Sequence, residues 1–299
     1  MRGSGYGALL DAVRGVRWPA RRPVGSAPPG VHHSRQRGAS SEFAEYRLYR
    51  QGDDPRRIDW RLLARSDRAY LRLATDRALF TTMVVVDASA SMAWPEPTLD
   101  KWRLAVETAI GLAAVAHGQG DPVGLLVPLA SAPPRLLAPR TRRGVIGEIA
   151  RALDEVVPGG TPALAPALQA ITARRIVLLT DLLGDPPTGS GGGEGAEPLR
   201  DAARALIARD AEVQLVHIVA REELEPPGGA MLATDPEDER ISRPLAAESL
   251  AAYQRAFAAW RDEMAHAWRA AGAGYAMATT GESAPRVVRR VVDPRASVA

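Results

Sequence analysis

Three separated stretches of the chain end in residues that can do chemistry. Asp87, Ser89 and Ser91 stand at alternate positions just after the apolar run Met83 to Val86. Thr180 and Asp181 close a second apolar run that begins at Arg174, and Thr161 lies between the two in Gly159-Gly160-Thr161-Pro162. Two carboxylates and three hydroxyls form a set of hard oxygen donors with no imidazole and no thiolate, which suits Mg²⁺ or Mn²⁺ far better than zinc. Magnesium takes six oxygens at about 2.0 to 2.1 Å and gives up water reluctantly. If hydroxyls make most of the direct contacts and the carboxylates act mostly through water, the ion stays electron-poor and seeks an anionic oxygen from outside. Taken singly, each residue reads equally well as a helix cap, Thr161 before Pro162 above all; taken together they predict a cation site.

The elements around these residues explain why they should converge. TTMVVVD, VGLLVPLA, RRIVLLTD, EVQLVHIVA and GYAMATT read as strands, nearly all continuously apolar. Helical spacing over residues 99–117, 141–156, 197–209 and 246–271 places an amphipathic helix between most of them. PPRLLAP reads as a short edge strand beside VGLLVPLA, and Thr161 as the cap of a further helix. This alternation predicts an α/β, doubly wound, mainly parallel sheet covered on both faces. In such a sheet, ligands gather at the carboxyl ends of the strands near the point where strand order reverses, so Asp87, Thr161 and Asp181 should share one rim.

Composition narrows the chemistry further. The chain of 299 residues has no cysteine, which excludes disulfides, thiolate metal sites and a cysteine nucleophile, and fits a reducing compartment. The five histidines fall in no ligand spacing. Asp87 as the nucleophile of a Mg-dependent phosphohydrolase is the alternative, but that chemistry wants a second carboxylate two positions on, where Ser89 stands. Ser89 and Ser91 are flanked by alanines rather than set in a G-x-S-x-G elbow. The sole lysine, Lys101, follows no phosphate-binding glycine loop, so ATP hydrolysis belongs to a partner. Gly191-x-Gly193-x-x-Ala196 lies in a Gly/Pro/Ser-rich stretch away from any strand and is read as loop.

Charge is unevenly placed. Residues 1–41 carry seven arginines against Asp11 alone, although the whole chain has a net charge of only +3. Residues 1–40 are therefore expected to be a basic, flexible arm, with Leu9, Leu10, Val13 and Trp18 suggesting a short interfacial helix and a weak membrane contact; nucleic acid is not expected as a partner. Residues 41–80 form a covering segment, and residues 81–299 the sheet domain, with an inserted hairpin at about 222–245. In GDDPRRIDW, Asp53, Asp54 and Asp59 are expected to pair with Arg56, Arg57 or Arg65, three arginines that are also candidates for a partner-binding surface. With no signal peptide and no long apolar run, the expected location is the cytoplasm, or peripherally the inner face of the membrane.

Asp-x-Ser-x-Ser, the later Thr161 and the later Asp181 resemble the metal-ion-dependent adhesion site of von Willebrand factor A domains. The resemblance implies that Ser89, Ser91 and Thr161 approach the cation, that Asp87 and Asp181 act largely through water, that an acidic residue of a partner completes the coordination, and that no catalysis is involved. From about Gly30 onward, Ser41-Glu42-Phe43, Tyr46-Arg47, Tyr49 to Trp60, Ala64-Arg65 and Gly120-Asp121-x-Val123-Gly124 are similar to the bacterial "domain of unknown function 58" family. That likeness implies an adaptor or assembly factor working beside a MoxR-type AAA+ ATPase. Many of its members begin with transmembrane helices, which this sequence lacks.

Overall fold

The computed structural model describes residues 5–20, 29–33, 43–50, 53, 55, 58–74, 77–78, 80–183, 198–227, 231–234, 240, 242–245 and 249–293. They fall into two units, residues 19–80 and the remainder. After helix α1 (Gly7–Ala12), the first of these units contains β1 (Pro29–His33), β2 (Phe43–Leu48), α2 (Trp60–Ser66), β3 (Tyr70–Ala74) and β4 (Arg77–Ala78). Within it, β2 pairs with β3 and β1 with β4, both antiparallel. Asp59 starts α2 by accepting the amides of Arg61 and Leu62, both at 3.0 Å, as an aspartate cap does. Asp53 pairs with Arg47 at 2.7 Å and accepts the Arg50 amide at 2.8 Å, so among the described residues its arginine partner is Arg47. Asp54, Arg56 and Arg57 lie outside the described residues, and Arg65 is exposed on α2.

The other unit holds β5 (Thr82–Val86), α3 (Asp100–Gly118), β6 (Val123–Val127), β7 (Arg135–Arg140), α4 (Val145–Asp154), α5 (Leu164–Gln169), β8 (Arg175–Thr180), α6 (Pro198–Ala208), β9 (Glu212–Val219), α7 (Arg221–Leu224), β10 (Met231–Thr234), β11 (Ser242–Leu245), α8 (Leu250–Ala270), β12 (Gly274–Thr279) and α9 (Ala284–Val292). Six strands form one sheet in the order β12-β9-β8-β5-β6-β7. All neighbours are parallel except β7, the antiparallel edge strand expected from PPRLLAP. Alternation along β5 divides the core: Val84 and Val86 pack among residues of α1, α3, α4 and α9, while Met83 and Val85 pack with α5, α6 and Trp268 of α8. The doubly wound α/β class is thus as the sequence predicts. The inserted hairpin is present as antiparallel β10 and β11, but residues 221–224, at its expected start, form the helical turn α7.

Three expectations need correction. Residues 5–18 are not part of a free arm: Leu9, Val13 and Trp18 are buried in the core shared with α3 and α9. α3 admits its neighbours closely because Gly111 has no side chain; a Cβ there would lie 2.7 Å from Val288 of α9 and 3.4 Å from Leu9. Trp18 donates its amide to Gln119 at 3.0 Å, and the Arg175 guanidinium stacks 4.4 Å from its ring centre. The apolar side chains that suggested a membrane contact are therefore satisfied internally. Second, Thr161 does not cap the helix after it, which starts at Leu164 with Ala163 as the flanking residue. Third, Ala284–Val292 forms a helix the strand-and-helix reading did not include, burying Val287, Val288, Val291 and Val292 on one face. The loop expected at 184–196 lies outside the described residues. No described helix is long and apolar enough to cross a membrane.

Candidate functional site

From β5 the chain goes to β6 on one side, whereas β8, β9 and β12 follow on the other, so strand order reverses between β5 and β8. Asp87 leaves β5 and Asp181 leaves β8 at this point. The ladder continues past the paired strands, with the Asp87 amide donating to Leu179 at 2.9 Å. Asp87 is fully buried. One carboxylate oxygen accepts the Ser89 amide at 2.8 Å and the other accepts the Thr180 hydroxyl at 2.6 Å. These bonds fix the carboxylate in plane and make the turn that carries the two serines. Burial, and then the nearby Asp181 carboxylate, push the Asp87 carboxyl up to about 6.

Ser89 and Ser91 are buried, with their hydroxyl oxygens 3.0 Å apart. Adjacent vertices of an octahedron with bonds of about 2.1 Å are about 3.0 Å apart, so these oxygens are spaced as neighbouring ligands of a small hard cation. A 3-10 turn, Ala90–Ala93, holds Ser91 in place. Main-chain bonds bring the third segment in: the Gly159 amide donates to Ala88 at 2.8 Å, and the Ala90 amide donates to Gly160 at 2.9 Å. Gly160 has φ +65°, and a Cβ there would lie 2.6 Å from that of Ala130. Glycine is therefore required at this close approach. Thr161 follows directly and is exposed. The loops carrying Asp87, Ser89, Ser91, Thr161 and Asp181 are accordingly brought together at one rim of the sheet.

Two residues outside the sequence-based set join them. The ammonium of Lys101, in the first turn of α3, lies 2.7 Å from Asp181 and 2.7 Å from Glu223 in α7. The other Asp181 oxygen accepts the Leu183 amide at 3.1 Å. Burial alone would lower the lysine's proton affinity, but the two carboxylates override it and hold the ammonium above its ordinary value. Glu223 is itself fixed by the Ala220 amide at 2.7 Å, and its carbonyl accepts the Tyr253 hydroxyl at 3.1 Å. His217, paired in register with Thr180, is buried against Trp260 and bonded to the Tyr275 hydroxyl at 2.6 Å. Its burial pushes its pKa down to about 4 and keeps the ring neutral. The sequence offered one signal for Lys101, its being the chain's sole lysine; Glu223, within a stretch read as a hairpin insertion, offered none.

Buried donors and acceptors of this kind can hold a cation and present it outward. A family model described as "Protein of unknown function DUF58" matches residues 45–263. Uncharacterized protein Rv1480 of Mycobacterium tuberculosis (strain H37Rv) is 31% identical over 164 residues, covering 49% of this chain and 51% of its own. Uncharacterized protein Mb1516 of Mycobacterium bovis gives the same values. The chain thus spans about half the length of the curated relatives it matches. Among solved structures, the conserved hypothetical protein BatB from Bacteroides thetaiotaomicron has a TM-score of 0.39 at 14% identity, over 71% of this chain and 97% of that one. Proximal thread matrix protein 1 from the mussel byssus, with a zinc occupied MIDAS motif, has a TM-score of 0.40 at 11% identity, over 73% of this chain and 48% of that one.

Proposed function

From the premise that the chain belongs to the DUF58 family, we propose that it is a non-enzymatic, divalent-cation-dependent protein-interaction module. The cation is Mg²⁺ or Mn²⁺. Ser89, Ser91 and Thr161 supply hydroxyl oxygens, while Asp87 and Asp181 act largely through water. The observation that carries this reading is the pair of serine oxygens at 3.0 Å, backed by a buried carboxylate held in place by one hydrogen bond to each oxygen. What such an ion lacks is a negatively charged ligand on its outward side, and a carboxylate from a partner protein supplies it.

The partner proposed is a MoxR-type AAA+ ATPase, with this chain as its adaptor or assembly factor in the cytoplasm, or peripherally at the inner face of the membrane. Arg65, exposed on α2, is retained as part of the partner surface together with Arg56 and Arg57. The test is a pull-down from the native cell with the wild-type protein and Asp87→Ala, each with magnesium and with chelator. Loss of the same partner on chelation and on substitution supports the reading; capture that is indifferent to both ends it.

A further inference from the structure

Lys101 has no place in the set of oxygen donors, yet it is among the largest fully buried side chains of the described residues. A buried ammonium must be paired, and this one is paired twice, to Asp181 and to Glu223. The two pairs span 80 and 122 residues of sequence and join α3, the end of β8 and α7. One oxygen of Asp181 is held by the lysine and the other by the Leu183 amide. Glu223 likewise spends one oxygen on the lysine and the other on the Ala220 amide. The rim thus contains three carboxylates, Asp87, Asp181 and Glu223, of which two are already committed to a cation that the protein itself provides.

We propose that Lys101 is the specificity-determining residue of the cation site: it withholds Asp181 and Glu223 from the bound ion, keeping the ion short of negative charge and therefore dependent on a carboxylate from outside. The inference rests on the cation-site reading of Asp87, Ser89, Ser91 and Thr161. With the ammonium in place, Asp87 is the one of these three carboxylates that Lys101 does not offset, so a divalent ion meets a single such charge and stays short of a second. Without it, the oxygens that Asp181 and Glu223 give to Lys101 lose their cation, and Asp181 becomes available to bind the ion directly. An ion so satisfied has less need of a partner, and a larger ion that accepts more carboxylate oxygens, such as Ca²⁺, gains most.

Two substitutions move the site in opposite directions. Lys101→Met keeps the length and apolar stem of the side chain and removes only the charge; Glu223→Gln removes one negative charge and leaves Lys101 wholly to Asp181. The measurement is calorimetric titration of each full-length protein with Mn²⁺ alone and with Ca²⁺ alone, folding being checked by circular dichroism. Lys101→Met is expected to bind Mn²⁺ on the order of tenfold more tightly than wild type and to discriminate less against Ca²⁺, whereas Glu223→Gln binds Mn²⁺ several-fold more weakly. A merely structural lysine would weaken binding in the first variant. A folded Lys101→Met with unchanged or weaker Mn²⁺ affinity overturns the proposal, as does a Glu223→Gln that binds more tightly or no differently; if Lys101→Met does not fold, the second variant decides. Wild-type protein that takes up no Mn²⁺ overturns the cation-site reading and this inference with it, while wild-type binding with unaltered variants sinks the lysine's role alone.

Discussion

The two ends of the central sheet each bury a basic residue, and they treat it differently. At the amino end of β8, Arg175 is 1% exposed, stacked on Trp18, bonded to the Trp18 carbonyl at 3.3 Å and flanked by Asp121 at 3.7 Å and Glu212 at 3.6 Å. At the carboxyl end, Lys101 meets Asp181 and Glu223 beside the fully buried Asp87. A guanidinium is planar and can be closed in by rings and carbonyls as well as by acids; an ammonium is a point charge on a flexible stem, satisfied by the few oxygens it reaches. The amino end is sealed with the protein's own groups. The carboxyl end retains more acid than base, and it is the end where hydroxyls are gathered. Buried charge by itself therefore does not mark a site in this fold; buried acid in excess of base beside gathered hydroxyls does.

The largest effect that can test this contrast is at the sealed end. Arg175→Leu leaves Asp121 and Glu212 without their buried counter-ion, and a loss of about 3 to 5 kcal/mol is expected in urea unfolding, the same with and without divalent cation. Trp18→Ala removes the ring beneath the guanidinium and should cost about 3 kcal/mol, again indifferent to cation. If either loss were largely restored by Mn²⁺, the division between a structural end and a cation-binding end would be wrong.

Substitutions at the open end should behave in the opposite way. Asp87→Asn is expected to weaken Mn²⁺ binding by about two orders of magnitude, roughly 2.7 kcal/mol. In chelator it should nevertheless be more stable than wild type at pH 7.5, by about 1 to 2 kcal/mol. The sign follows from the raised carboxyl: a group held near 6 in the fold and near 3.8 when unfolded costs stability above pH 6, and that cost is relieved as pH falls through 6 towards 4. The advantage of the variant should accordingly shrink over that window and vanish near pH 4, measured as unfolding midpoints against pH. His217 acts in the reverse sense over the neighbouring range, because a ring with its pKa lowered to about 4 loses stability as pH falls below the ordinary 6.5, so the wild-type profile alone would conceal both. Smallest of all, Ser91→Ala should lower Mn²⁺ affinity several-fold by titration while costing about 1 kcal/mol in unfolding, because the buried Ser89 hydroxyl loses a partner.

What the sequence disclosed about these two ends depended on the range of the interactions. The site at the switch point was legible because strand, turn and hydroxyl spacing are local: Asp87, Ser89 and Ser91 announce themselves within five residues. Bringing Asp181 and Thr161 to the same rim needed only the rule that ligands collect where strand order reverses. The lysine was visible as a singular residue but not as a buried one, since its partners lie 80 and 122 residues away. The amino-terminal segment was misjudged because its arginines dominated the count, while the residues that seat it, Leu9, Val13 and Trp18, are too few to outweigh them. The missed helix at Ala284–Val292 is built on β-branched valines in adjacent pairs, a residue choice that suits strands equally well.

The loop that delivers Thr161 is lashed to the serine turn by two peptide-to-peptide bonds, Gly159 to Ala88 and Ala90 to Gly160. Neither bond involves a side chain of residue 161. That position is consequently an interchangeable socket on a fixed mount: its functional group can be swapped for a shorter hydroxyl or a methyl without relocating the frame, so chemistry and architecture can be varied there independently.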